Sequence, residues 1–168
     1  NSPLAWIRAE RMGKALGKPV RAVAMRDTDC DLTSVIVVPA DSAIKTVADL
    51  RGKRVGVGAV DSPQATLIPL DYLRSQGLQP ENDFSVRRFD VLGGKHGDHI
   101  GGERDAARAL MAGELDAACM IDGNHLLFVS EGTLPAGKTR ILAQTPKFDH
   151  CNFTVAQHAD AALIDKLQ

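Results

Sequence analysis

Short apolar segments that alternate with helical patterns constrain the fold of this chain more than any other feature. The run from Ser34 to Val38 is rich in β-branched residues and closed by Pro39, which predicts a strand buried on both faces. Glycines that follow the helical patterns, such as Gly77 and Gly113, mark where helices stop. The alternation predicts an α/β fold of the doubly wound type with a mostly parallel sheet.

The strands and helices can be placed along the chain from these patterns. Strands are predicted over residues 20–25, 34–38, 54–58, 84–89, 115–121, 140–144 and 152–155. Helices are predicted from the Ser2 cap to the stop at Gly17, and over residues 46–50, 66–76, 103–111, 124–131 and 160–167. Pro69 must kink the helix over 66–76 or lie in its first turn, which moves its start to anywhere between Pro63 and Leu67.

Composition narrows the class of protein. With 168 residues, 44% of them hydrophobic, the chain can form an ordinary globular core. Its 20 basic and 21 acidic residues leave a net charge of −1, without the basic excess that nucleic-acid binding needs. The longest apolar runs fall far short of a membrane span of about 18 residues, and no leader precedes them, so we expect any signal peptide to be absent or already removed.

The three cysteines do not form a disulfide framework or a zinc-finger pattern. One bridge stays open if the protein is exported. Cys119 lies in an apolar run and is expected to be a buried hydrophobic residue. His150 and Cys151 are adjacent, and neighbours in an extended segment point to opposite faces, which argues against a Cys-His pair.

Polar residues cluster where predicted strands end. Asp61, Ser62 and Gln64 open a helix, where free N–H groups favour an anion, although Asp61 opposes one and Ser62 can serve only as a cap. After the strand ending at Ile121, Asp122 is expected to cap a helix, while Asn124 and His125 are candidates for ligand contact.

The glycine-rich loop from Gly93 to Gly102 carries an unusual set of side chains: Lys95, His96, Asp98 and His99, with Glu103 just beyond it. One interpretation is a loop that closes over an anionic or polar small molecule at a helix N-terminus. A solvated flexible loop and a divalent metal site are the alternatives. The metal interpretation is the weakest, because a His-rich loop without helical scaffolding rarely orients its ligands, and we expect no bound metal and no cofactor.

With these residues in view, the stretch from Ser34 to about Val155 resembles the phosphate/phosphite/phosphonate-binding components of bacterial ABC importers, which have the type II periplasmic binding protein fold. The resemblance is carried by SVIVVPADSAIKTVADLRGKRVGVG, by DSPQATLIPLDYLRSQGL and by ARALMAGELDAACMID. It implies two lobes: residues 34–155 as lobe two with its crossover strands, residues 1–33 as the end of lobe one, and residues 156–168 as the return into lobe one. The opening part of lobe one is absent from this map.

The resemblance also implies a function and a site. It predicts a solute-binding protein, not an enzyme, that delivers a small anionic or polar ligand, phosphate-like or phosphonate-like, to an importer permease in the periplasm. It places the ligand in an interlobe cleft lined by Asn1, Ser2, Ser62, Gln64, His96, His99 and Asn124. The family's Ser/Thr-Ser-Gly turn is reduced to Ser62 here, which predicts a divergent member with a different ligand. A metal-dependent enzyme using His96, Asp98 and His99, and an effector-binding domain of LysR type, are the alternatives.

Overall fold

A computed structural model describes residues 2–91 and 99–166. The chain divides into two compact units, one formed by Thr33–Pro146 and the other by the two chain ends, up to Leu32 and from Lys147 onward. Within the described residues, no helix has the length and apolar character that crossing a bilayer requires.

The unit Thr33–Pro146 contains a five-stranded sheet. Its elements are β2 (Ser34–Pro39), a 3₁₀ turn (Val47–Leu50), β3 (Arg54–Val57), a π-helical turn (Pro63–Leu67), α2 (Ile68–Ser75), β4 (Ser85–Arg88), α3 (Ile100–Met111), β5 (Ala117–Ile121), α4 (Asp122–Ser130) and β6 (Thr139–Gln144). The strands lie side by side in the order β4-β3-β5-β2-β6. The α/β class predicted from the sequence is confirmed.

One strand differs in direction from the others of the predicted, mostly parallel sheet. β3 runs parallel to β4 and β5, whereas β2 is antiparallel to both β5 and β6, so the sheet is mixed, with four of its five strands running in one direction and β2 reversed. An uninterrupted apolar run reports burial on both faces of a sheet, and helices covering both faces bury a strand of either direction.

Successive residues of β2 supply the two sides of the core. Ile36 and Val38 belong to one buried cluster, and Val35 and Val37 belong to the other. This division follows from the two-residue period of a strand, which turns alternate side chains to opposite faces. Cys119 is completely buried in the central strand β5, as predicted, and burial raises its pKa to about 12.

The π-helical turn resolves the position of Pro69. Residues 63–67 form i to i−5 bonds, seen as Leu67 N–H donating to the Ser62 carbonyl, and α2 then begins at Ile68 with Pro69 in its first turn. A proline has no N–H to donate, and the first turn is where a helix does not need one.

Close approach explains one glycine of α3. A Cβ at Gly102 would overlap the carbonyl oxygen of Phe89, so only glycine lets the first turn of α3 pack against the end of the β4 segment.

The unit formed by the chain ends is smaller. It contains α1 (Pro3–Ala15), β1 (Val20–Met25), a 3₁₀ turn (Asp27–Asp29), β7 (Asn152–Ala156) and α5 (Ala161–Asp165). β1 and β7 pair antiparallel as a two-stranded sheet. The Ser2 hydroxyl accepts from Ala5 N–H and caps α1 as predicted.

His150 and Cys151 lie closer together than their adjacent positions in the sequence predicted. The Sγ of Cys151 lies 3.1 Å from Nδ1 of His150, although neighbours in a strand were expected to diverge. The reason is local: β7 begins only at Asn152, so these two residues lie before the strand and do not follow its alternation.

Candidate functional site

Three helices of the unit Thr33–Pro146 begin at one edge of its sheet. β3, β4 and β5 are parallel, so their carboxyl ends share this edge, and the helical segments starting at Pro63, Ile100 and Asp122 follow them. The first N–H groups of a helix have no partner within it, and the helix dipole makes this end positive. The edge therefore gathers three positive helix ends from separate parts of the chain.

The Glu103 side chain joins these three segments. It is fully buried in the first turn of α3. Its Oε1 accepts from Gln64 Nε2 at 3.1 Å, and its Oε2 accepts from Asn124 Nδ2 at 2.9 Å and from the Ile121 N–H at 2.9 Å. One carboxyl group thus links the π-helical turn, α3 and the start of α4.

Burial raises the pKa of Glu103, and the hydrogen bonds from Asn124, Ile121 and Gln64 oppose that effect without cancelling it. Removing a carboxylate from water disfavours its charged form. At a given pH, the protonated, neutral form of Glu103 is therefore more populated than that of a surface glutamate.

Ser62 and Gln64 lie on the π-helical turn, and both are buried. The Ser62 hydroxyl accepts from Ala65 N–H at 3.2 Å, which is the capping role considered for it from the sequence. The Gln64 carbonyl accepts from the Ser34 hydroxyl at 2.5 Å, so the turn is also fixed to the first residue of β2. These side chains hold the helix start in place.

His99 comes immediately before α3 and pairs with the residue that was expected to oppose an anion. Its Nε2 lies 3.2 Å from Oδ1 of Asp61, whose side chain is about half exposed. The His99 carbonyl also accepts from the Glu103 N–H at 3.4 Å. An imidazole and a carboxylate thus meet on the solvent-exposed side of this sheet edge, which we call its rim, and His99 is hydrogen-bonded through its carbonyl to Glu103.

Asp122 has a larger role than the predicted helix cap. Its Oδ1 accepts from Gly123 N–H at 2.7 Å within α4, and its Oδ2 accepts from the Thr33 N–H and hydroxyl at 3.1 and 2.8 Å. The carboxylate therefore anchors the residue before β2 to the start of α4. The neighbouring His125 is partly buried, which lowers its pKa.

The sequence-based site residues fall into three groups. Ser62, Gln64, His99 and Asn124 lie at the same edge, and two of them, Gln64 and Asn124, meet on Glu103. Ser2 lies in the other unit. Asn1 and His96, and the loop residues Lys95 and Asp98, lie outside the described residues.

Glu103 was considered from the sequence only as an accessory metal ligand, and its central position was missed. A signal for its burial was present: Ala106, Ala107 and Leu110 follow it at spacings of three, four and seven residues, and all three are buried. These spacings form one face of a helix, so Glu103 belongs to the apolar face of α3.

Comparison with known proteins agrees with this architecture. The profile of the family described as the periplasmic substrate-binding protein of phosphonate ABC transporters matches residues 2–168. No curated protein matches the sequence at a significant level.

Three solved structures share the fold at low identity. A Xanthomonas citri protein bound to ATP has a TM-score of 0.67 and 16% identity over 95% of this chain and 58% of its own. A binding protein component of a Pseudomonas aeruginosa ABC phosphonate transporter has a TM-score of 0.62 and 15% identity over 88% of this chain and 47% of its own. PhnD1 from Prochlorococcus marinus, in complex with methylphosphonate, has a TM-score of 0.62 and 21% identity over 89% of this chain and 54% of its own.

The chain thus spans about half the length of these three structures. The family profile, in contrast, covers nearly all of the chain, and the mixed α/β sheet agrees with the fold of type II periplasmic binding proteins. The chain belongs to the family of periplasmic substrate-binding proteins of phosphonate ABC transporters.

Proposed function

We propose that this chain binds a small anionic or polar ligand, phosphate-like or phosphonate-like, at the sheet edge of the unit Thr33–Pro146. The observation that carries the proposal is the set of three helix N-termini held at that edge by the buried Glu103 network. Helix N-termini bind anions through free N–H groups and the helix dipole, and three of them at one edge add their contributions.

The side chains at this edge are proposed to act in two ways. His99 is exposed enough to reach a ligand and contributes an imidazole N–H at the rim. Ser62, Gln64 and Asn124 act mainly as positioning residues, because their side chains already cap or connect the helix starts. Asn1, Ser2 and His96 stay predicted ligand contacts.

Asp61 is expected to limit the negative charge of the ligand. Its carboxylate stands 3.2 Å from His99 and repels a second negative charge at the rim. We therefore propose that ligands of low net charge, or ligands that also offer a hydrogen-bond donor to Asp61, bind better than multiply charged anions.

The whole protein is proposed to act outside the cytoplasm as the solute-binding component of an ABC importer, with the importer permease as its partner. Family membership and the helix-terminus site support this proposal. We propose binding without catalysis, because the polar side chains at the edge are already engaged in capping or connecting the first turns of the helices.

Calorimetric titration of the chain with methylphosphonate, phosphate and sulfate tests the site. We expect one site per chain, and His99→Ala should weaken binding by roughly 10-fold or more, since a charge-assisted hydrogen bond contributes about 1.5–3 kcal/mol. Ser62→Ala should weaken binding by a smaller factor, because it removes the cap that holds the helix start in place. His158→Ala is the control, because this exposed histidine lies in the unit formed by the chain ends and should leave the affinity unchanged.

Two results would reject the proposed site. One is unchanged affinity in both His99→Ala and Ser62→Ala, with far-UV circular dichroism showing that each variant is folded. The other is equal loss in the His158→Ala control.

A further inference from the structure

Three side chains of different ligand type meet in the unit formed by the chain ends. Asp29 lies in the 3₁₀ turn after β1, and His150 and Cys151 lie directly before β7. His150 Nδ1 is 3.1 Å from Cys151 Sγ and 3.6 Å from Asp29 Oδ1, and all three atoms lie within 4.8 Å of one another. Residues 29 and 150 are far apart in sequence, so only the folded chain brings this set together.

The spacing fits the coordination shell of a small cation. Ligands of a tetrahedral zinc ion, with bonds of about 2.0–2.3 Å, stand about 3.4–3.6 Å apart. The separation between the histidine nitrogen and the aspartate oxygen matches this value, and the Sγ to Nδ1 separation is shorter by a few tenths of an ångström. The candidate ligand atoms of Asp29 and Cys151 lie within 4.8 Å of each other, so the three groups are near enough to surround one ion.

The same three residue types could also suggest a catalytic triad, but the geometry argues against one. A triad uses the two ring nitrogens of histidine for different partners, one facing the nucleophile and the other facing the carboxylate. Here the thiol and the carboxylate both face Nδ1. Convergence on one point suits coordination of an ion and does not provide a proton relay.

The surroundings orient the ligands. Arg26 Nε lies 2.5 Å from Asp29 Oδ2, which leaves Oδ1 directed to the histidine, and the His150 N–H donates to the Asp29 carbonyl at 2.8 Å. The Asp29 side chain is only 6% exposed and that of His150 only 19%. Partners of this kind fix metal ligands in place and are a regular part of metal sites.

Access from solvent is also provided. A cavity of about 310 Å³ is lined by Arg26, Asp29, Cys151, Asn152 and Phe153, so two of the three ligand residues border it. A water molecule in this cavity can complete the coordination of an ion held by three protein ligands. Sulfur, nitrogen and oxygen together favour zinc and similar divalent transition metals over calcium or magnesium.

We propose that Asp29, His150 and Cys151 bind one divalent transition metal ion of the zinc class. The ion joins the segment after β1 to the segment before β7 and thereby stabilises the unit formed by the chain ends. These three residues belong to the unit formed by the chain ends, and the proposal does not depend on the proposed transport function. They also lie outside the His96 and His99 loop, the one place where the sequence had suggested a metal.

The test uses the reduced, chelator-stripped chain titrated with Zn²⁺ by calorimetry and with Co²⁺ by absorption spectroscopy. We expect one equivalent of metal per chain and a cobalt complex that shows a thiolate-to-metal charge-transfer band. Cys151→Ser should remove that band and weaken Zn²⁺ binding by roughly 100-fold or more, because it removes a direct ligand where even outer-shell changes cost about 10–100-fold. His150→Gln should weaken binding similarly.

Cys30→Ser is the matched control, since Cys30 is an exposed cysteine of the same unit whose Sγ faces Met25 Sδ and the Arg26 carbonyl. It should bind Zn²⁺ as the unaltered chain does. A Zn²⁺-dependent rise in the thermal midpoint should appear in this control and be absent in Cys151→Ser.

Several outcomes would overturn the site. Zn²⁺ binding that survives Cys151→Ser and disappears in His96→Ala would assign the metal to the glycine-rich loop. A cobalt complex without a thiolate band would exclude Cys151 as a ligand. Thiol counting on unreduced protein that finds Cys30 and Cys151 joined in a disulfide would show that these sulfurs serve a covalent bridge.

Discussion

Residues 33–146 and the two chain ends bury apolar surface to very different degrees. Among the described residues, every buried hydrophobic side chain except Ile164 belongs to Thr33–Pro146. In the chain-end unit, large apolar side chains stay exposed, among them Leu16 at 69%, Leu163 at 64% and Met12 at 63%. Since burial of apolar surface is the main favourable contribution to folding, the two units should differ strongly in stability.

The comparison extends to polar groups. The larger unit uses buried polar side chains, above all Glu103, to fix the helix starts at its candidate site. In the chain-end unit, Asp29 is the one charged side chain that is buried among the described residues, and its partner Arg26 is exposed. We therefore expect the larger unit to determine global stability, and the chain-end unit to open at lower denaturant.

The largest effect is expected from a truncation in the core of the larger unit. Phe128 is fully buried among Val35, Val37 and Leu110, and Phe128→Ala should cost about 3–5 kcal/mol through lost transfer energy and a cavity. Far-UV circular dichroism during urea unfolding, which follows both units, should show this shift. The control Leu163→Ala removes an exposed side chain and should change stability by no more than about 0.5 kcal/mol.

The only tryptophan, Trp6, lies in α1 and reports on the chain-end unit. Its fluorescence transition should come at lower urea than the circular dichroism transition and should not move in Phe128→Ala. Coincident transitions that shift together would show that the units unfold as one and would remove the basis of the comparison.

A smaller loss of stability is expected when the buried Glu103 network loses its central carboxyl group. Glu103→Ala leaves the side-chain amides of Gln64 and Asn124 and the Ile121 N–H without their acceptor, which should cost about 3 kcal/mol. Urea unfolding followed by circular dichroism measures the loss. Glu114→Ala is the matched control: this glutamate pairs with Arg87 in a half-exposed salt bridge, and its removal should change stability by about 0.5 kcal/mol or less. Equal losses in the two variants would mean that the buried network does not stabilise the unit.

The stability of the unit Thr33–Pro146 should depend on pH through the ionisation of Glu103. Because burial raises its pKa in the folded state above the ordinary value of 4.5, the neutral form is favoured by folding. This contribution is complete below pH 4.5 and is lost as pH rises through the folded-state pKa. As the pH rises above 4.5 through the folded-state pKa, we expect Glu103→Gln, which cannot ionise, to lose less stability than the unaltered chain. Parallel pH profiles for the two proteins would contradict the raised pKa.

The sequence predicted the order of elements because their signals are local. The helix over 103–111 and its stop at Gly113 were read from helical spacing and a glycine, and the structure has α3 over Ile100–Met111 with Gly113 at φ +74°. The direction of β2 was not predictable in this way. An apolar run reports burial, and the pairing of β2 with β5 and β6 depends on contacts more than 80 residues away in the chain.

The candidate site was predictable to the same extent. Ser62, Gln64 and Asn124 could be placed together, because residues that follow parallel strands meet at one sheet edge. The central position of Glu103 could not be predicted, because its hydrogen-bond partners Gln64 and Asn124 are 39 and 21 residues away in the sequence. The His150 and Cys151 contact was missed for a related reason: it depends on where β7 begins, and strand ends are the part of a pattern that sequence defines least.

The smallest effect is expected at the buried carboxylate of the chain-end unit, measured with a chelator present so that no metal contributes. Burial raises the pKa of Asp29, but the hydrogen bond and charge of Arg26 outweigh this and lower it overall. A lowered pKa means that the charged form is favoured by folding, so the contribution is present above pH 3.8 and is lost as pH falls through the folded-state pKa. Asp29→Asn should therefore lower the Trp6 fluorescence midpoint at pH 7 by the equivalent of no more than about 1 kcal/mol, since its partner is largely solvated. The difference should shrink on acidification, while the control Asp27→Asn, on an exposed neighbour in the same 3₁₀ turn, should leave the midpoint unchanged. A loss at pH 7 as large as that of Glu103→Ala would show that this sparsely packed unit relies on its single buried charge as heavily as the larger unit relies on the buried Glu103 network.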